Sequence, residues 1–137
     1  MDKEKQQHLR IDRQYCRVDT GVTCEAGLPG SDLSTTWILN LSVGGMKFRC
    51  TQETIQRILP EEQRTLWQVM GVEIEIHFDL KPADGPVTSI STNARVVHSE
   101  RLAQDEFHVG IQFLGLDSTA VELLEAYIGE IKQQQWI

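Results

Sequence analysis

Val72-Glu73-Ile74-Glu75-Ile76-His77-Phe78-Asp79-Leu80 alternates apolar with polar or charged side chains along its whole length. Side chains along a strand point alternately to opposite faces, so this stretch predicts a strand with one buried and one wet face. The same period appears on both sides of it. Downstream, Lys81 to Pro86 is a turn by composition, Val87 to about His98 returns as a strand, and Phe107, Val109, Ile111 and Phe113 mark a last one. Upstream, Met46, Phe48 and Cys50 alternate with Lys47 and Arg49 in a third strand. Ser34 to Leu39 is rich in β-branched residues and predicts the second, and Val18 to Ala26 the first, with a Gly- and Pro-containing turn at 27–32 between them.

Two segments break the β period. Thr51 is placed to cap a short helix carrying Ile55, Ile58 and Leu59, and Pro60-Glu61-Glu62 reads as a second helical start that Gly71 ends. Near the C-terminus, Ala120, Leu124, Tyr127, Ile128 and Ile131 form an apolar stripe at helical spacing behind the caps Asp117, Ser118 and Thr119. The expected fold is therefore mainly β: a six-stranded antiparallel β-barrel with a C-terminal α-helix and a short helical insertion between strands 3 and 4. Residues 1–9 read as a flexible polar arm and residues 10–137 as a single domain.

Composition narrows the function. The chain has 137 residues, enough for one domain with a real core, and its three cysteines show no C-x-x-C spacing. That usage points to a reducing cytoplasm and to neither a zinc site nor a disulfide framework. The four histidines form no ligand-spaced pair, so no metal is expected. No run is long and apolar enough for membrane insertion, and the polar first ten residues do not resemble a signal peptide. Residues 1–17 carry five basic and three acidic side chains, whereas the remainder carries eight basic and seventeen acidic ones. An acidic body with a basic arm suits a small anion held by a few arginines, and not a nucleic-acid polymer.

The arm holds Arg13-Gln-Tyr-Cys-Arg17, and the second strand runs into Asn40-Leu-Ser42-Val-Gly44-Gly45. A guanidinium is a planar fork that pairs with phosphate or with the O6/N7 edge of guanine, and it also stacks on purines. Asn40 and Ser42 can bond a guanine's polar edge, and Gly45 is expected either to supply a positive φ or to let a ligand approach the backbone. The pair of segments reads as a site for a guanine nucleotide with exposed phosphates. Each has a plainer reading, as surface arginines or as a simple turn, but their joint occurrence favours a ligand. Trp37 reads as packing, and Gly110 as close contact between strands.

In these motifs the chain resembles the PilZ family, bacterial domains that bind the second messenger cyclic di-GMP. Arg13 and Arg17 match its Arg-x-x-x-Arg motif, and Asn40, Ser42 and Gly45 match Asp/Asn-x-Ser-x-x-Gly. The strand His108 to Phe113, leading into a helix, is similar to the family's ending. The resemblance implies a non-enzymatic receptor whose c-di-GMP ligand is bound by Arg13, Arg17, Asn40, Ser42 and Gly45, with Arg10, Asp12 and Gly44 as flanking candidates and no cofactor. Asn40 stands where the family often has Asp. Asp12 stands where an Arg would favour a stacked pair of nucleotides, which implies one ligand per chain. The implied mechanism is a clamp that pins the arm to the turn and alters the surface offered to a protein partner or to a second copy. The rival reading is a protein-interaction adaptor that uses the same barrel without nucleotide, with residues 51–70 as its docking face or a dimer interface; the plainer reading of that segment is a lid over the barrel's apolar end.

Overall fold

The computed structural model describes residues 9–11, 16–18, 22–59, 71–82 and 85–136. The strands are β1 (Leu9–Ile11), β2 (Cys16–Val18), β3 (Thr23–Gly27), β4 (Ser34–Leu41), β5 (Gly45–Cys50), β6 (Glu73–Leu80), β7 (Thr88–Ala103) and β8 (Glu106–Leu114); the helices are α1 (Gln52–Ile58) and α2 (Ser118–Trp136). Six strands close on themselves through the antiparallel ladders β3–β4, β4–β5, β5–β8, β8–β7, β7–β6 and β6–β3. The expected barrel, its C-terminal helix and the helix after the third barrel strand are all present. Closure leaves no free edge within the barrel.

The alternation at residues 72–80 does what its period demands. Ile74, Ile76, Phe78 and Leu80 are buried, while Glu73, His77 and Asp79 are exposed. Inside, Phe78 stacks on Phe113 with ring centroids 5.9 Å apart, an offset pairing that adds to the burial of both rings. Phe48, Ile38, Leu41, Val96 and Val109 fill the rest of the barrel from the other strands. Thr51 caps α1, its side chain accepting from Thr54 N at 3.3 Å, and Ile55 and Ile58 turn inward. Asp117 Oδ1 accepts from Ala120 N at 2.8 Å, capping α2, whose Leu124, Tyr127 and Ile128 are buried against the barrel. Cys24 and Cys50 are free thiols in this core, and burial pushes both pKa values up to about 12. Neither is therefore a thiolate nucleophile at neutral pH.

The structure revises the sequence reading at three places. The first expected strand, Val18 to Ala26, is two: β2 ends at Val18 and β3 starts at Thr23. Both lie along one edge of β4, β3 opposite residues 34–37 and β2 opposite Leu41. A bulge in β4 between Ile38 and Asn40 falls where that edge passes from β3 to β2, and a bulge breaks a ladder locally. The return strand is longer than expected, running past His98 to Ala103 with β8 beside it. Third, Leu9–Ile11 and Cys16–Val18 form an antiparallel pair that the composition of the arm did not suggest. Residues 1–8 and the second helical start at 60–70 fall outside the described residues.

Candidate functional site

The pairing of β2 with β4 decides where the two motifs stand. Val18 is opposite Leu41 in an antiparallel ladder. Arg17, one residue before, therefore lies alongside Ser42, one residue after. The backbone thus brings Arg17 to the Asn40–Gly45 turn. In the β1–β2 pair Arg10 is opposite Arg17. Asp12 and Arg13 lie outside the described residues.

The turn itself is held by a compact set of bonds. Ser42 N donates to Gly45 O at 2.9 Å, Ser42 Oγ donates to the same carbonyl at 3.1 Å, and Gly45 N donates to Ser42 Oγ at 3.2 Å. Ser42 is fully buried. A hydroxyl has one donor and two acceptor lone pairs, so these bonds leave it one lone pair and no donor. Its first task is to staple the turn. The carbonyl of Gly44 accepts from Phe113 N at 2.9 Å, tying the turn to β8.

Gly45 is a glycine for a reason the sequence reading did not give. Its φ is not positive. A Cβ at this position would instead lie 2.0 Å from the carbonyl oxygen of Ile111, so the backbones of β5 and β8 approach too closely for any side chain. Gly110 departs in the other direction. A Cβ there would meet nothing closer than His98 Cβ at 3.5 Å, so strand packing does not require glycine.

Asn40 is 3% exposed, yet its Oδ1 has no hydrogen-bond partner. Among the described residues it is the sole buried side-chain oxygen or nitrogen left so. Cross-strand partners share a face. Asn40 is opposite Lys47, whereas the flanking pairs Ile38–Phe48 and Leu41–Met46 are core. Asn40 and Lys47 thus belong to the outer face of the barrel. The row continues from Lys47 to Gly110 and from Gly110 to His98. A parallel outer row sets Arg49 over the ring of Trp37, 5.1 Å from its centroid, and leaves that ring 38% exposed. The expectation that Trp37 packs in the core or at the rim is met at the rim. A hollow of about 660 Å³ lies elsewhere, between β3 and β6. Glu25 and Asp79 line it against the single lysine Lys81, a balance that does not favour a dianion.

The profile of the PilZ domain family matches residues 11–130. The chain belongs to the PilZ domain family. Among solved structures, this PilZ domain is similar to the Bacillus subtilis inhibitor of motility, MotI/DgrA, with a TM-score of 0.66 and 17% identity over 90% of this chain and 51% of that one. It is also similar to the K. pneumonia MrkH–c-di-GMP complex, with a TM-score of 0.61 and 12% identity over 90% of this chain and 53% of that one. Escherichia coli YcgR in complex with c-di-GMP gives a TM-score of 0.59 and 17% identity over 89% and 46%. At such identities the likeness is one of fold. The chain spans about half the length of these structures. A comparison with curated proteins found no match.

The sequence reading gave Lys47 no part in the ligand site and attributed Gly110 to close packing between strands. Alternation already predicted Lys47 to face outward. Its position opposite Asn40 depends on strand register, which no local pattern encodes.

Proposed function

We propose that this PilZ domain is a receptor for cyclic di-GMP, binding one molecule per chain between the arm and the Asn40–Gly45 turn. The observation that carries this reading is the orphaned Asn40 Oδ1. An unsatisfied buried acceptor costs about 1–3 kcal/mol. Guanine offers adjacent N1–H and N2–H donors that such an oxygen accepts. The register of β2 on β4 adds to it, because it sets Arg17 beside the turn. Arg13 and Arg17 neutralise the phosphates or stack on the bases. The register of β1 on β2 sets Arg10 opposite Arg17, which brings a third arginine of the arm to the same backbone pair. Ligand and arm then order each other. The altered surface passes the signal to a separate partner or a second copy. No catalytic step is assigned to this receptor.

Calorimetric titration of the purified chain with c-di-GMP tests the reading directly. We expect one ligand bound per chain and a rise in melting temperature with ligand concentration. Absence of both heat and stabilisation rules it out. Light scattering with and without c-di-GMP then separates self-association from action on a partner.

Asn40→Asp gives a second test. A carboxylate accepts charge-assisted bonds roughly twice as strong as neutral ones, so affinity should rise about tenfold. The ligand-free variant should melt lower, since a buried charge without a partner is costly. Weaker binding would instead show that the Asn40 carboxamide acts as a donor.

A further inference from the structure

A hollow of about 300 Å³ lies between α2 and the turn that joins β6 to β7. Pro82 and Pro86 build its turn side, and their rings fix the backbone φ and leave no N–H to satisfy there. Leu123, Ala126 and Tyr127 build its helix side. Spaced i, i+3 and i+4, they share one stripe of the helix, offset from Leu124 and Ile128, which are buried against the barrel. Leu123 is 38% exposed, and Ala126 is exposed beside it. On the turn, Val87 follows Pro86 and is 57% exposed. A single exposed apolar residue is ordinary, but apolar residues gathered around a hollow mark a contact site.

Charge selects the occupant. Glu130 lines the same hollow. Glu122, Ala126 and Glu130 follow one another at i, i+4 spacing, so a carboxylate stands at each end of the flat alanine. Burial raises the pKa of Tyr127, and the Glu130 carboxylate raises it further, so negative charge is felt within the hollow. Along its length α2 carries three glutamates against one lysine. A second copy of this chain is a poor occupant for that reason. Seating α2 on α2 across a two-fold axis at Ala126 sets glutamate against glutamate whichever way the helices run, and like charges facing each other across an interface are costly. Leu123 to Glu130 spans about 10 Å, two turns of helix, the length that an amphipathic helix covers with its i, i+3 and i+7 anchors.

We infer that this groove receives a short amphipathic helix of a partner protein, its apolar stripe on Leu123, Ala126 and the two prolines and its flanking Lys or Arg side chains on Glu122 and Glu130. The inference goes beyond the c-di-GMP reading and stands without it, because none of these residues belongs to the arm or to the Asn40–Gly45 turn. It gives the domain a second surface, with a partner defined as basic and apolar.

The test titrates the full chain with two fluorescein-labelled helical peptides that share a leucine stripe at i, i+3 and i+7. One carries lysines beside the stripe, the other glutamates at the same places. The lysine peptide should bind, and the glutamate peptide at least about tenfold more weakly. Ala126→Arg places a long cation across the groove at an exposed position, so it should weaken the lysine peptide by about tenfold or more with a nearly unchanged melting temperature. The double substitution Glu122→Gln with Glu130→Gln should lose about fivefold and flatten the salt dependence, as for partly screened charge contacts. Glu73→Gln, on the exposed face of β6, should change nothing. In the wild-type chain the amide resonances of Thr88, Leu123 and Ala126 should shift with the lysine peptide. Equal binding of the two peptides, or of neither, overturns the inference. So does a lysine-peptide affinity that survives Ala126→Arg, or a dimer in light scattering that Ala126→Arg abolishes, which would assign the groove to a second copy.

Discussion

Arg17→Ala is expected to weaken c-di-GMP binding by about 10- to 150-fold while leaving the melting temperature of the free protein nearly unchanged. The magnitude is that of one hydrogen bond to a charged group, about 1.5–3 kcal/mol. The unchanged stability follows from where Arg17 stands. It belongs to β2, three residues long and joined to the barrel ladder at a single Cα pair, Val18 with Leu41. The closed barrel and its core lie in other strands. Arg17→Lys should recover only part of the loss, because an ammonium keeps the charge but lacks the planar fork that engages two acceptors at once. Arg57→Ala is the matched control. Arg57 is an exposed arginine paired with Glu53 on α1 at 3.1 Å, and its removal should leave affinity untouched. Titration calorimetry on the four proteins decides the matter: an Arg17→Ala variant that binds like wild type removes the arm from the site.

The elements of the fold differ in how legible they were. Alternation predicted which residues of 72–80 face the core because a strand's period is local and every apolar residue in it agrees. The C-terminal helix was legible for the same reason, since Leu124, Tyr127 and Ile128 share one face. Two small errors have separate physical sources. Val18 to Ala26 read as one strand because composition does not register a bulge in the neighbouring strand, here between Ile38 and Asn40. The β1–β2 pair went unseen because three-residue strands carry too few residues to show a period.

The candidate site residues were read as motifs, and motifs do not reveal the work each residue does. Ser42 was assigned to ligand, yet most of its hydrogen-bonding capacity goes to Gly45. Asn40 was judged a weaker acceptor than Asp, and its oxygen proves to be the buried atom without a partner. Lys47 stands beside it only through register. Non-local pairing is the information a single sequence lacks.

Gly45→Ala is expected to cost about 2–4 kcal/mol of folding stability, and its argument separates fold from ligand within one motif. The added Cβ would lie 2.0 Å from Ile111 O, 3.1 Å from Ile111 C and 3.2 Å from Gln112 Cα. All three are backbone atoms of β8, so no rotamer change relieves the clash. Either β5 or β8 must shift. Overpacking of this kind costs about 1–3 kcal/mol, and the shift also strains the bonds from Ser42 to Gly45, each worth about 1 kcal/mol net. Urea denaturation should show the loss, with a melting temperature lower by roughly 4–12 °C for a chain of this size. Gly110→Ala, whose Cβ has room, should show no such loss. Stability equal to wild type in Gly45→Ala would mean that the two strands are not packed this closely. Binding measured at low temperature, where the Gly45→Ala variant remains folded, then isolates the second effect. Ser42 and Gly45 fix the path of the chain immediately after Asn40, so displacing β5 moves the acceptor away from Arg17. Affinity should fall along with stability even though a glycine has no side chain to offer a ligand. On the proposed reading the glycine of the turn acts on the nucleotide through the geometry of Asn40, and restoring stability by a distant substitution should leave the binding defect in place.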